Sequence, residues 1–295
     1  MELCCGSSAL TLHLTGTQRQ LVPYQGSKWP LRKQLEALLV RLGYWGAPSE
    51  VLLSDAGPWA NSMQTILQRP KDVGAALRPL VEEGEREPEA LYARLNGGRV
   101  PAEKEQAAAE LLWLQRMAFS GKAVGTRARC WRAQGLNTTS ARGVAATERF
   151  GAVRPLGRAL LEATESVCPF EPVVGLRAQP DGLHDFRPGA LDMGGPRVVA
   201  FIDPPYVGTT GYPDGDLPRD DVVKLARDWK AAGSTVIICE AEPVAELAGE
   251  GWRSECLQEG RGESRARMQA RARQPASRGW EWVTYWKPTL AGMRP

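Results

Sequence analysis

The stretch that most narrows what this chain can fold into is the succession RVVAFID, PRDDVVKLARDWKAAG and STVIICE, residues 197–240. Two short runs of β-branched and apolar residues flank a segment of helical period that ends at Gly233. Strands so apolar must be covered on both faces, and strands alternating with helices call for a parallel, doubly wound sheet. EVLLSD reads as a further buried strand ending in an acid, Asp55. WRSECLQ and WEWVTYW read as two last strands, and their succession predicts an antiparallel hairpin at one edge of the sheet.

The remaining segments are helical. PLRKQLEALLVRLGYW puts Leu31, Leu35, Leu38, Leu39 and Leu42 on one helical face, with Pro30 suited to the first turn. AEKEQAAAELLWLQRMAF and RPLGRALLEATESV are helices, and GKAVGTRARCWRAQGLNTTSARG between them reads as a loop. The organisation expected is a discontinuous α/β domain, 1–69 with 171–295, interrupted by a mostly helical region at 70–170.

Composition removes several classes. No apolar run is long enough to span a membrane, and no secretory leader is evident, which points to the cytoplasm. The six cysteines contain no CxxC and the two histidines offer no zinc spacing, so no metal is expected; the cysteines read as reduced, small, buried apolar residues. Net charge is only +3, but arginines cluster at Arg127, Arg129, Arg132 and Arg142 and again from Arg261 to Arg278, as a phosphate-binding surface or as solvated loops. No GxSxG or GxGxxG occurs, which argues against a serine hydrolase and a nicotinamide dehydrogenase.

The chemistry is concentrated where RVVAFID runs into Asp203-Pro204-Pro205-Tyr206. Open α/β sheets bind ligands at the carboxyl ends of strands, and the two prolines present the acid and the aromatic ring with little freedom. DPPY after a strand resembles the catalytic motif of the Dam-type adenine-specific DNA methyltransferases. Five further stretches resemble parts of that family. VLLSDAGPWANSMQTIL is similar to its second strand, where Asp55 matches the acid that holds the cofactor ribose. LHDFRPGAL is similar to the segment whose acid contacts the cofactor adenine, matching Asp185 with Phe186 beside it. YQGSKWP resembles the aromatic–Gly–Lys signature near the cofactor's methionine end, matching Tyr24, Gly26 and Lys28. LLWLQRMAFSGKAV resembles the entry to the DNA-recognition region, and WVTYWKP the final strand.

MELCCGSSALTL then resembles a degenerate Glu-Pro-Phe-x-Gly-x-Gly cofactor loop, with Glu2 at the acid, Cys4 at the phenylalanine, Gly6 at the first glycine and Ser8 in place of the second. Ser tolerates positive φ less well than Gly, so the loop is expected to bend differently. The lysine signature follows this loop instead of preceding it, and the first strand is nearly absent before Glu2.

The resemblance implies a Rossmann-like methyltransferase sheet that binds S-adenosylmethionine and methylates the N6 amine of an adenine flipped out of double-stranded DNA, in a bacterial or phage-infected cell and with or without a partner nuclease. Asp203 and the Pro204 carbonyl would accept the amine hydrogens and Tyr206 would stack on the base. Lys122, Arg127, Arg129, Arg132, Arg267 and Arg271 are the candidate DNA contacts. A monomer is favoured. A catalytically inactive DNA-binding homologue and a cytosine-N4 methyltransferase are the alternatives.

Overall fold

The structure is a computed structural model and describes residues 1–22, 27–55, 57–117, 123–126, 129–133, 153–177, 186–206, 217–258 and 281–289. Its centre is a seven-stranded sheet. In chain order the strands are β1 (Glu2–Leu3), β2 (Val51–Asp55), β5 (Val173–Arg177), β6 (Val199–Ile202), β7 (Thr235–Glu240), β8 (Arg253–Gln258) and β9 (Glu281–Trp286). They lie side by side as β5-β2-β1-β6-β7-β9-β8. The five strands from β5 to β7 are parallel, while β9 pairs antiparallel with both β7 and β8. The expected antiparallel hairpin is therefore present, with its second strand as the inner one.

Alternating residues face opposite layers, as the two-residue period of a strand requires. Ala200, Ile202, Val236 and Ile238 point to one face and pack with Val222, Leu225, Ala226 and Trp229 of α9 (Arg219–Ala231). Phe201, Ile237, Cys239 and Val283 point to the other. They meet Leu10 of α1 (Ala9–Leu14) and Leu35, Leu38 and Leu39 of α2 (Arg32–Arg41). All five leucines assigned to the helical face from 31 to 42 are buried. Helices on both faces make the sheet doubly wound and Rossmann-like.

The other helices are α3 (Trp59–Gln68), α4 (Pro70–Arg86), α5 (Pro88–Gly97), α6 (Lys104–Met117), α7 (Val153–Glu165) and the short α8 (Pro188–Leu191). Helices α3 to α7 share one apolar cluster with Val51 and Leu53 of β2 and Val173 of β5. Contact between α3 and β5 is close: a Cβ at Gly175 would sit 2.4 Å from the Ala60 carbonyl oxygen. Two parts of the chain depart from the sequence expectation. The segment read as a loop contains a two-stranded antiparallel hairpin, β3 (Ala123–Thr126) with β4 (Arg129–Ala133), in which Arg132 pairs with Val124 and Arg129 with Thr126. Its glycines and arginines hide the strand period. Strand β5 was not anticipated either, because it is a five-residue edge strand interrupted by Gly175.

Among the described residues, no helix is long and apolar enough to cross a membrane. The cysteines do not behave alike: Cys5 and Cys239 are buried, Cys4 and Cys256 are half-buried, and Cys168 is exposed, against the expectation of burial for all six.

Candidate active site

The chain runs from β1 outward to β2 and β5, then returns to β6 on the other side of β1. This reversal opens a crevice beyond the carboxyl ends of β1 and β6, where doubly wound sheets hold their ligands. Three acids stand at parallel strand ends: Asp55 as the last residue of β2, Glu240 as the last of β7, and Asp203 immediately after β6. Asp203 is locked in register, since its N–H donates to the Leu3 carbonyl at 3.1 Å.

On the β1 side the chain turns sharply. Cys4, Gly6 and Ser8 all adopt left-handed backbone conformations, with φ of 55°, 44° and 47°. Ser8 thus takes the conformation a glycine would, although a side chain there costs about 1–3 kcal/mol. Strain of this kind needs an anchor at each end. Glu2 accepts the Thr11 N–H at 3.1 Å and the Thr11 hydroxyl through one carboxylate oxygen, tying β1 to α1. Asp55 accepts the Gly6 N–H at 2.9 Å on one oxygen and the Gly57 N–H at 2.8 Å on the other, tying the loop to β2. Burial pushes the Glu2 carboxyl up to about 7 against the pull of the Thr11 hydrogen bonds.

Lys28 enters from the other side. Ser27 fixes its segment, because the Ser7 hydroxyl of the β1 loop donates to the Ser27 hydroxyl at 3.1 Å and Gln20 Nε2 does so at 3.2 Å. The Lys28 side chain is only 5% exposed. Its Nζ lies 2.8 Å from Asp203 Oδ1, 3.4 Å from Glu281 Oε1 and 4.7 Å from the centre of the Tyr206 ring. The Tyr206 hydroxyl donates to Glu281 Oε1. Burial alone would lower the Lys28 ammonium, but Asp203 and Glu281 outweigh it and hold the group charged. Burial raises the Asp203 carboxyl to about 6 in spite of Lys28, so it is an anion at neutral pH.

Beside this cluster, Glu240 is buried and its carboxylate takes Arg219 Nη1 at 2.9 Å. Burial raises its carboxyl to about 7, with Arg219 pulling the other way. Glu240 and Glu281 escaped the sequence reading. Glu240 carries the same signal as Asp55 and Asp203, an acid closing an apolar strand. Glu281 opens an antiparallel strand, which brings a first residue to the edge where parallel strands bring their last.

The structure brings Glu2, Cys4, Gly6, Ser8, Lys28, Asp55 and Asp203-Pro204-Pro205-Tyr206 to one edge of the sheet. Phe186 is 2% exposed and packs with Leu3, Ile202 and Trp229, whose indole N–H donates to its carbonyl at 3.1 Å. Arg129 and Arg132 lie on β4. Tyr24, Lys122, Arg127, Asp185, Arg267 and Arg271 fall outside the described residues.

No protein-family model matches the chain. No curated protein matches it either. Among solved structures it is similar to the rRNA methyltransferase aviRa from Streptomyces viridochromogenes, at 16% identity over 94% of this chain and 91% of that one, with a TM-score of 0.35. A likeness at that level speaks neither to substrate nor to mechanism.

Proposed function

We propose that this chain is an S-adenosylmethionine-dependent DNA methyltransferase acting on the N6 amine of adenine. The observation that carries the reading is the placement of Asp203-Pro204-Pro205-Tyr206 beyond β6, beside the reversal of strand order, with the Asp203 carboxylate braced by buried Lys28. An exocyclic amine has its lone pair delocalised into the base and attacks only if its hydrogens are drawn away. Asp203, anionic at neutral pH and with Oδ2 besides the oxygen that Lys28 engages, is suited to one hydrogen; the Pro204 carbonyl is suited to the other. Tyr206 supplies the stacking surface. Acceptors aimed at charge that develops during reaction contribute most to rate, so Asp203→Ala should lose about a hundredfold or more.

The residues fit the cofactor. Among the described residues, the carboxylates of Asp55, Asp203 and Glu281 at this edge favour a cationic sulfonium. The left-handed turn at Cys4, Gly6 and Ser8 lets backbone approach a ligand closely, held by Glu2, and Asp55 at the end of β2 is the carboxylate proposed for the ribose hydroxyls. Asp185 and Phe186 fall to the adenine of the cofactor in this reading, and Tyr24 and Lys28 to its methionine end. When bound, the cofactor supplies an electrophilic methyl group. DNA is the proposed partner, because the amine of a paired adenine is reached only by flipping the base, which costs a few kcal/mol offset by stacking and phosphate contacts. Lys122, Arg127, Arg129, Arg132, Arg267 and Arg271 are the proposed source of the phosphate contacts, and affinity should fall steeply with salt.

The test is to express the chain in a host without DNA methylation and to sequence that DNA by a method that reports modified bases. N6-methyladenine at one recurrent site, lost with Asp203→Ala, is expected. Unmodified DNA from well-folded protein that fails to bind S-adenosylmethionine would remove the proposal, and N4-methylcytosine would redirect it to cytosine.

A further inference from the structure

Glu281 sits about 75 residues beyond Tyr206 in the chain, yet its Oε1 is shared by the Tyr206 hydroxyl and the Lys28 ammonium. Lys28 in turn holds Asp203 and covers one face of the Tyr206 ring. Glu281, Lys28 and Tyr206 close a circuit of contacts, and Asp203 joins it through Lys28. Each link constrains the next. The Tyr206 ring also packs against the apolar cluster of β6, β7 and β9. An ammonium over the ring draws π density from it, which favours stacking against an electron-rich purine. Without Glu281 more of the Lys28 charge would fall on Asp203 and weaken it as an acceptor.

From this circuit we infer that Glu281 is a positioning residue that sets the stacking ring and the acceptor carboxylate relative to each other, an inference that rests on the methyltransferase reading of the same site. Glu281 touches no reacting atom and acts through Tyr206 and Lys28. The groups around Asp203 that bear on its titration are Lys28 from the segment before α2, Glu281 from β9, Cys239 and Glu240 from β7, Glu2 and Cys4 from β1 and its turn, and Tyr206 from its own segment. Removing the Glu281 charge takes away a neighbour that opposes ionisation of Asp203 and leaves Lys28, which favours it.

The test uses Glu281→Gln, which keeps the shape and an acceptor oxygen but removes the charge. In protein labelled at aspartate carboxyl carbons, the Asp203 resonance is assigned by its absence from Asp203→Asn. Its titration should move down by about one pH unit in Glu281→Gln, in protein that still unfolds cooperatively. This reading needs neither cofactor nor DNA. With both present, kcat should fall about tenfold while KM for DNA changes less than about threefold, and the acid limb of the rate profile should move to lower pH. Tyr206→Phe and Glu281→Ala should each lose rate, and the double variant should lose no more than the worse of the two. An Asp203 titration left in place in folded Glu281→Gln, or a double variant that loses the product of the single losses, overturns the inference. Wild-type protein that transfers no methyl group to DNA removes the methyltransferase reading instead, and the carboxyl titration still decides the role of Glu281.

Discussion

At the carboxyl ends of β1, β2, β6 and β7 the ionisable side chains are packed into the protein; on helices α4, α5 and α7 the paired arginines stand in water. Lys28 pairs with Asp203 at side-chain exposures of 5% and 17%, whereas Arg78 of α4 pairs with Glu165 of α7 at 55% and 41%. Arg94–Glu83 and Arg158–Glu85 on the same helices are equally open on the arginine side. The helices are held by a shared cluster of buried apolar side chains, and these ion pairs lie outside it. The strand ends hold charges that a stability argument alone would not place there, since desolvating a buried pair cancels most of its attraction. Burial therefore separates the two sets of charges: those at the sheet edge are desolvated and coupled, those on the helices are hydrated.

The sharpest way to break this contrast is Lys28→Met. It leaves Asp203 and Glu281 facing each other without a cation, and removing one partner of a buried pair costs about 3–5 kcal/mol. Denaturation midpoints should show that loss at neutral pH, with partial recovery on acidification as the carboxyls take up protons. A loss below about 1 kcal/mol would mean that the edge is wetter than its burial indicates. Gly175→Ala probes the apolar region at comparable scale. The added Cβ would meet backbone, the Ala60 carbonyl at 2.4 Å, so the strand and α3 must separate. About 3 kcal/mol is expected, and unlike the Lys28 effect it should be indifferent to pH and salt.

The two regions also differed in how much of them could be read in advance. The doubly wound sheet followed from strands such as STVIICE, because a strand buried on both faces announces itself by being apolar throughout. Helix α2 followed from its leucine spacing. Strand β5 escaped because an edge strand needs neither property and Gly175 interrupts it. At the site, Asp203 and Asp55 were legible as acids that close strands. The company that Lys28 keeps was not, since its contact with Glu281 joins residues more than two hundred positions apart, and only register brings the start of an antiparallel strand to the ends of parallel ones. Ser8 takes the left-handed conformation against its own preference for a related reason: intrinsic preference for φ is local, whereas the Glu2–Thr11 and Asp55–Gly6 contacts that brace the turn are not.

The third expectation concerns pH. Burial raises Glu2 from 4.5 to about 7, Glu240 from 4.5 to about 7, and Asp203 from 3.8 to about 6. The native state therefore binds more protons than the unfolded chain between about pH 4.5 and 6, and its stability must fall as pH rises through that window. Unfolding free energy measured at pH 5 should exceed that at pH 6 by about 2 kcal/mol, the reverse of ordinary acid sensitivity. Glu2→Gln should flatten the slope. Glu105, which its own backbone N–H and Arg69 hold below the usual range, acts in the opposite sense but only at lower pH. A stability that rises from pH 5 to pH 6 would show that the edge carboxyls titrate like exposed ones.

The smallest effect belongs to the helices. Arg78→Ala removes the cation from an exposed pair whose N–O separation is 2.6 Å, a geometry that looks strong. Both groups are nonetheless open to water, so the Coulomb gain is screened and ordering the long arginine side chain costs entropy. Exposed pairs of this kind contribute about 0–1 kcal/mol. Glu165 left alone is simply rehydrated. A loss below about 1 kcal/mol that vanishes in high salt is the expected result in chemical denaturation. Measured beside Lys28→Met in one buffer, it compares two Nζ–O or Nη–O contacts of nearly equal length in opposite surroundings. If the two variants cost the same, contact distance and not burial sets what a charge is worth in this protein, and the contrast between sheet edge and helices fails.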